Sequence, residues 1–404
     1  MPSPLDQETS GCGTMPKTHN VAVDPTETAL MTPRFFVRRR AGRVALFAGL
    51  AAAMLLSGCA HWRPSTQPTR SPESVQNRVV QLMPSKVSDK QGWADDIQAA
   101  FSAQHLNASD RNLCATLAVA GQESSFHADP RVPGLDRIAR RELERRAAAA
   151  HVPPFLLDGA LDLKSSTGQT YKQRLSHVHT ERQLSELFED FVGQVPLGRK
   201  LLGGFNPVHT GGPMQVDVRF ATAHDANYPY PVDGSIRHEV FSRRGGLYFG
   251  ILHLLGYPTD YPSPLYRFAD YNAGWYASRN AAFQRAVSRI TGDKLALDGD
   301  LVIYGSSATS HTERATLQLA DRLGLSDDDI HAALKEGESP DFANTAVYRR
   351  VFALADKQAG KRVPRAILPG IKLDSPKITR DLTTAWFAKR VESRWKQCMA
   401  RAGS

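Results

Sequence analysis

Residues 109–126 read SDRNLCATLAVAGQESSF, and this stretch decides the fold class. Ser109 and Asp110 carry side chains that accept hydrogen bonds from the unpaired amides of a helix's first turn. Behind them Leu113, Leu117 and Ala120 recur at helical spacing, which predicts a helix over residues 111–121. That helix delivers Gln122-Glu123-Ser124-Ser125-Phe126 at its C-terminal end, and Asp129-Pro130 and Val132-Pro133-Gly134 then break it.

Working outward, helical periodicity dominates. Folding signals begin near Trp93, with helical spacing from Ala94 to Phe101. Residues 137–150 predict a strong helix, Pro153-Pro154 opens another at its N-terminus, and residues 175–192 read as one or two more. Residues 203–217 are Gly- and Pro-rich, and a Tyr/Pro loop follows at 227–231. A long helix is expected over 236–255, with Val240, Leu247, Ile251 and Leu254 apolar, and another over 277–291. Leu301-Val302-Ile303-Tyr304 has the composition of a brief strand. The C-terminal part, residues 306–404, reads as three or four helices, the last near 379–401. The balance is a mainly α fold in one folded unit, residues 91–404, with no internal repeat.

The N-terminal part carries a different signal. Residues 1–30 show no apolar period, and Met31 is followed by the basic series Arg34, Arg38, Arg39, Arg40 and Arg43. The apolar run 44–56 is too short for a membrane-spanning helix, which needs ~20 residues, and has the length of a signal-peptide core. It ends in Leu56-Ser57-Gly58-Cys59, which resembles a lipobox. The expectation is a leader and lipoprotein signal peptide over 1–58, with Met31 as the better start. Cys59 would carry the lipid, and the Pro/Ser/Thr/Gln-rich stretch 59–90 would be a flexible tether. Ala60 rather than Asp after the Cys suggests an outer-membrane lipoprotein facing the periplasm.

The formal net charge is +9, and it falls to +7 without residues 1–58, which hold six Lys/Arg and four Asp/Glu. A basic exported protein suits an anionic partner such as cell-wall glycan peptides or lipid headgroups. Export and the lack of basic runs interleaved with aromatics argue against nucleic acid, and no feature names a protein partner. Of the four Cys, Cys12 lies in the leader and Cys59 is the lipid site. Cys114 and Cys398 remain: an oxidising compartment allows them to pair, and each is equally compatible with a buried small hydrophobe. His177, His179, His209, His224, His238 and His253 are scattered without metal-ligand spacing, so no metal or cofactor is expected. There is no Gly-x-Ser-x-Gly around Ser124 or Ser125, and no Walker pattern around Gly203-Gly204 or Gly211-Gly212.

Three short motifs occur in order: Glu123-Ser124 at a helix end, Gly212-Pro213-Met214-Gln215 in a Gly-rich turn, and Tyr271-Asn272-Ala273-Gly274 at the start of a later helix. Each alone is unspecific. Together they resemble the Glu-Ser, Gly-x-Met-Gln and Ala-Tyr-Asn-Ala-Gly motifs of the family-1 lytic transglycosylases, the glycoside hydrolase family 23 relatives of goose-type lysozyme. The resemblance covers residues 109–126 and 203–290, and the whole chain also resembles a proteobacterial lipoprotein family of unknown function. It implies a lysozyme-like helical domain with a helical insertion at about 130–202 and a helical C-terminal extension. Pro213 stands where the family usually has Leu, and Asp270 where it has Ala.

The chemistry that this resemblance implies needs one carboxyl group. A glycosidic oxygen leaves poorly until protonated, and a Glu in an apolar groove keeps its proton near neutral pH because burial disfavours its charged form. Glu123 would donate that proton, then take one from the 6-hydroxyl of N-acetylmuramic acid, leaving a 1,6-anhydro ring on the peptidoglycan strand. The resemblance assigns Ser124 a hydrogen bond near the reacting sugar, Met214 the groove wall and Gln215 an acetamido or peptide contact. It has Tyr271 orient Glu123 and Asn272 hold the loop or the sugar. Two rivals stand beside this reading. A muramidase using water would want a second carboxylate, for which Asp217, Asp225 and Asp270 are available. A non-catalytic wall-binding lipoprotein would keep the fold without the chemistry.

Overall fold

The computed structural model describes residues 70–194, 205–373 and 381–403. The leader, Cys59, the tether up to residue 69, the end of the insertion with the start of the Gly/Pro-rich stretch (195–204) and residues 374–380 lie outside these. The described residues belong to a unit running from Arg70 to the C-terminus, and the fold is mainly α-helical.

Its helices, in chain order, are α1 (Pro72–Leu82), α2 (Lys90–Ala103), α3 (Asp110–Glu123), α4 (Leu135–Ala149), α5 (Pro154–Asp162), α6 (Tyr171–Leu175) and α7 (Glu181–Gln194). A two-stranded hairpin follows, β1 (Thr210–Gly211) and β2 (Val216–Asp217), antiparallel with Gly211 opposite Val216. Then come α8 (Val218–Ala223), α9 (Ile236–Val240), α10 (Arg243–Leu255), α11 (Pro264–Ala273) and α12 (Ala277–Thr291). The remainder is α13 (His311–Leu317), α14 (Ala320–Leu323), α15 (Asp327–Lys335), α16 (Ala346–Ala359), a second hairpin β3 (Lys372–Leu373) and β4 (Leu382–Thr383), and α17 (Thr384–Ala402). Side-chain caps set many of the starts: the Ser109 hydroxyl accepts from Asn112 N and that of Thr383 from Trp386 N.

The core around the three motifs is built by α1, α2, α3, α10, α11 and α17. Helix α3 is buried on every face from Leu113 to Gly121, not on one stripe. Ala115, Ala118, Ala120 and Gly121 make this feasible, because small side chains let α17 and the other neighbours approach closely. The insertion helices α4, α6 and α7 gather a separate cluster with Val208 and Phe241, and α12, α13, α15 and α16 form a third around Phe283, Phe342 and Phe352.

Several sequence expectations change. The stretch 59–90 is not all tether: α1 lies in it, and Val75, Val79, Leu82 and Met83 are core residues. The long helix over 236–255 is two helices, because Ser242 caps a fresh start by accepting from Gly245 N. Leu301-Val302-Ile303-Tyr304 is not a strand: Leu301 and Val302 are buried in the third cluster without a β partner. The C-terminal part is no appendage, since Phe387, Ala388, Val391 and Cys398 of α17 share the core with α3. Cys114 and Cys398 are joined by a disulfide that ties these two helices together.

Candidate active site

Glu123 is the last residue of α3 and is half-buried. The helix stops there because Ser124 turns back on it: both its amide (3.1 Å) and its hydroxyl (3.0 Å) donate to Ala120 O. Ser125 and Phe126 follow with φ of 51° and 62°, two successive left-handed residues that reverse the chain. The Phe126 ring then folds over Gly121, where an added Cβ would meet it at 3.1 Å, and stands edge-on to Trp93 at 5.5 Å.

The second motif is a turn pressed onto α10. Gly212 has φ +71°, and a Cβ there would lie 2.1 Å from Val240 O. Pro213 and Met214 sit over two glycines one turn apart. A Cβ at Gly246 would be 2.5 Å from Pro213 Cδ, and one at Gly250 would be 2.6 Å from Met214 Cβ. Met214 is therefore fully buried and faces α10, whereas the resemblance has it walling a groove. Gln215 takes φ 53° and is half-buried, its Nε2 donating to Gly212 O at 3.3 Å and its Oε1 accepting from Thr210 Oγ1 at 3.4 Å.

The third motif closes α11 and does not open a helix: Gly274, at φ 103°, is its C-cap and donates to Asp270 O. Tyr271 connects the other two motifs. Its hydroxyl donates to Met214 O at 2.7 Å, and its pKa is driven well above the usual phenol value by burial and then by the nearby Glu123 carboxylate. Asn272 is exposed, and its Oδ1 accepts from Thr384 Oγ1 at 3.1 Å, which docks the end of α11 on α17. Tyr271 thus connects to the turn that holds Gln215 through Met214 O, and lies near Glu123. Ser124 and Met214 are turned into the protein, and Asn272 is held by α17.

The chain matches the family described as protein of unknown function (DUF1615) over residues 86–401. It belongs to that family. It is also 53% identical, over 353 residues, to a protein of Escherichia coli (strain K12) called "Uncharacterized protein YaiW", a match that covers 87% of this chain and 96% of the relative. A search of the solved structures finds no match. The family match contains all three motifs and both cysteines of the disulfide, while α1 lies ahead of it.

The three carboxylates available to a hydrolase sort differently in space. Asp270 is fully buried and accepts from Tyr257 and Tyr261 hydroxyls (3.1 and 2.7 Å) and from Ser278 N (2.7 Å). Burial, above all, raises its pKa against those bonds. Its role is to cap α12 from α11, which explains a carboxylate where the resembling family has Ala. Asp217 caps α8 by accepting from Arg219 N and Phe220 N (2.7 and 3.1 Å), and Asp225 is exposed on the following loop.

A group of rings that the sequence did not single out lies behind Tyr271. His253 Nε2 is 3.1 Å from Tyr271 O, and since a carbonyl only accepts, Nε2 carries the proton. His253 Nδ1 is buried without a partner among the described residues, and burial lowers the ring's pKa to about 4, so it is neutral at pH 7. Phe220, at 4.6 Å, and Trp275, at 6.3 Å, pack on this ring, and Phe220 stacks on His224 at 4.2 Å. The available signal was one polar residue inside the apolar run Leu247–Leu255, but a lone histidine does not reveal its neighbours. Among the described residues no group of three or more His, Cys, Asp or Glu is placed to hold a metal ion.

Proposed function

We propose that this protein is a lytic transglycosylase that cleaves the MurNAc–GlcNAc bond of peptidoglycan to give 1,6-anhydro-MurNAc ends, with Glu123 as acid and then base on a lysozyme-like helical scaffold. The observation that carries the reading is the meeting of three separated motifs: Glu123 at a buried helix's end, and Tyr271 close enough to feel its charge while bonded to Met214 O. A single carboxylate is the natural reading here, because Asp270 is sealed in the core and Asp217 is engaged in capping. The N-acetyl group of the sugar supplies the stabilisation that a second carboxylate gives other glycosidases. The proposal includes a lipid on Cys59 and a place on the outer membrane facing the periplasm, where glycan strands are within reach.

A second reading, wall binding without cleavage, is favoured by the inward orientation of Ser124 and Met214, two side chains that the resemblance assigns to the sugar. Purified sacculi incubated with the chain from Ala60 onward separate the readings by mass spectrometry of the released fragments. Anhydro-muropeptides support the transglycosylase, reducing-end sugars indicate a hydrolase, and sedimentation with sacculi without release indicates a binder.

A further inference from the structure

The insertion presents an apolar tip that the fold leaves uncovered. From the end of α4 into the first turn of α5, residues 151–156 are exposed without interruption: His151, Val152, Pro153, Pro154, Phe155 and Leu156. Phe155 is 70% exposed and Leu156 53%. Of α5 only Leu161 is buried, and Leu163 just past its end is 56% exposed. Val152 is tied down by its amide to Ala147 O at 2.8 Å, so the tip is a fixed corner. Isolated apolar residues are ordinary on a surface, but a contiguous corner of this kind marks a contact site.

The helix that leads into the tip carries arginines outside any ion pair among the described residues. Arg137, Arg141 and Arg145 recur every fourth residue along α4 and are all exposed, so they form one stripe on that helix. Glu142 pairs with Arg145 and Arg146, Glu144 and Asp158 share Arg140, and Asp162 pairs with Lys172. Arg137 and Arg141 stand outside the ion pairs of the described residues. An apolar wedge at the end of a helix with unpaired arginines is complementary to a bilayer surface, whose acyl boundary takes the apolar side chains and whose anionic headgroups take the guanidinium groups.

Chain length brings that surface near. The folded unit begins at Arg70, so only residues 60–69 separate it from Cys59, a span of at most about 35 Å when fully extended. We infer that the α4–α5 corner, Phe155 and Leu156 with the Arg137–Arg141–Arg145 stripe, docks on a lipid surface bearing anionic headgroups. For the proximity of that surface the inference rests on the Cys59 anchor proposed above; the corner's affinity is its own.

The test uses the chain from Ala60 onward, which keeps the folded unit whole and lacks the lipid site, so that neither anchor nor catalysis is read. It is sedimented with vesicles of phosphatidylethanolamine with or without phosphatidylglycerol. The wild-type chain should pellet with the phosphatidylglycerol vesicles. Phe155→Ser with Leu156→Ser should raise the lipid concentration for half-binding at least tenfold, and Arg137→Gln with Arg141→Gln should remove the preference for the anionic lipid. Both double variants should melt with the wild type, because the four side chains are exposed. Failure of the wild type to pellet, or equal pelleting of the serine variant, overturns the proposal. Self-association abolished by the serine substitutions, without vesicle binding, also overturns it and gives the corner to a second copy of the chain.

Discussion

At the scale of single residues, the candidate site is fixed by side chains whose bonds run inward. His253 is one of them, and it makes stability depend on pH. In the unfolded chain its ring takes up a proton near the ordinary value of 6.5, and in the folded chain only near 4. Between those values the unfolded state binds more protons, so stability is lost as pH falls from 6.5 towards 4. The loss should reach up to about 3 kcal/mol. Thermal unfolding at pH 7 and pH 4.5 should show a smaller acid loss in His253→Gln, whose side-chain amide reaches about as far as Nε2 and keeps a donor for Tyr271 O but does not titrate; equal losses would refute the role. Asp270→Ala should cost about 2–4 kcal/mol in denaturant unfolding, because it strands two tyrosine hydroxyls and the Ser278 amide in the core. At this scale the sequence named residues but not their directions. Gly-Pro-Met-Gln was legible as a motif, yet the seating of Pro213 and Met214 depends on Gly246 and Gly250, which lie on α10.

At the scale of elements, local chemistry was readable where a cap and an apolar period coincide. Ser109 and the leucines behind it mark α3, and Pro154 marks α5. Helix α1 has the same signature, Ser71-Pro72 followed by Val75, Val79 and Leu82, but it lies in a Pro/Ser/Gln-rich stretch whose overall composition reads as tether. Composition averages over a window, whereas three buried side chains are enough to hold a helix. The break in 236–255 was hidden for the opposite reason: apolar residues continue through it, and only the Ser242 cap reveals a second start. The pairing of α3 with α17 was left open by the sequence, since 284 residues separate the two cysteines. That long loop gives the disulfide its weight: chain-entropy arguments assign ~5 kcal/mol to loops of this order, and practice often delivers less. Cys114→Ser with Cys398→Ser should therefore lower stability by about 2–5 kcal/mol in urea unfolding. An unchanged midpoint would mean that packing alone holds α17 on α3.

At the scale of the whole molecule, the three motifs are far apart in the chain and come together only through helices that no motif marks. Helix α17 backs α3, with Arg394 Nε donating to Gln122 Oε1 at 3.1 Å, one residue before Glu123. A chain starting at Trp93 should lose roughly 5–8 kcal/mol with Val75, Val79 and Leu82 and fail to fold stably, while one starting at Arg70 should melt like one starting at Ala60. Tyr271 lies near Glu123 and bonds to the second motif, and in the proposed chemistry Glu123 alone carries proton transfer. The most direct test of that role is muropeptide release from purified sacculi by Glu123→Gln, beside Asp217→Asn and Asp225→Asn. Glu123→Gln keeps the shape of the side chain but cannot give up a proton at neutral pH. It should be slower by ~10³-fold or more, at the upper range for loss of a general acid, with its melting temperature unchanged. The aspartate variants should keep most of the activity and yield the same anhydro product. Release by Glu123→Gln at the wild-type rate would contradict the account.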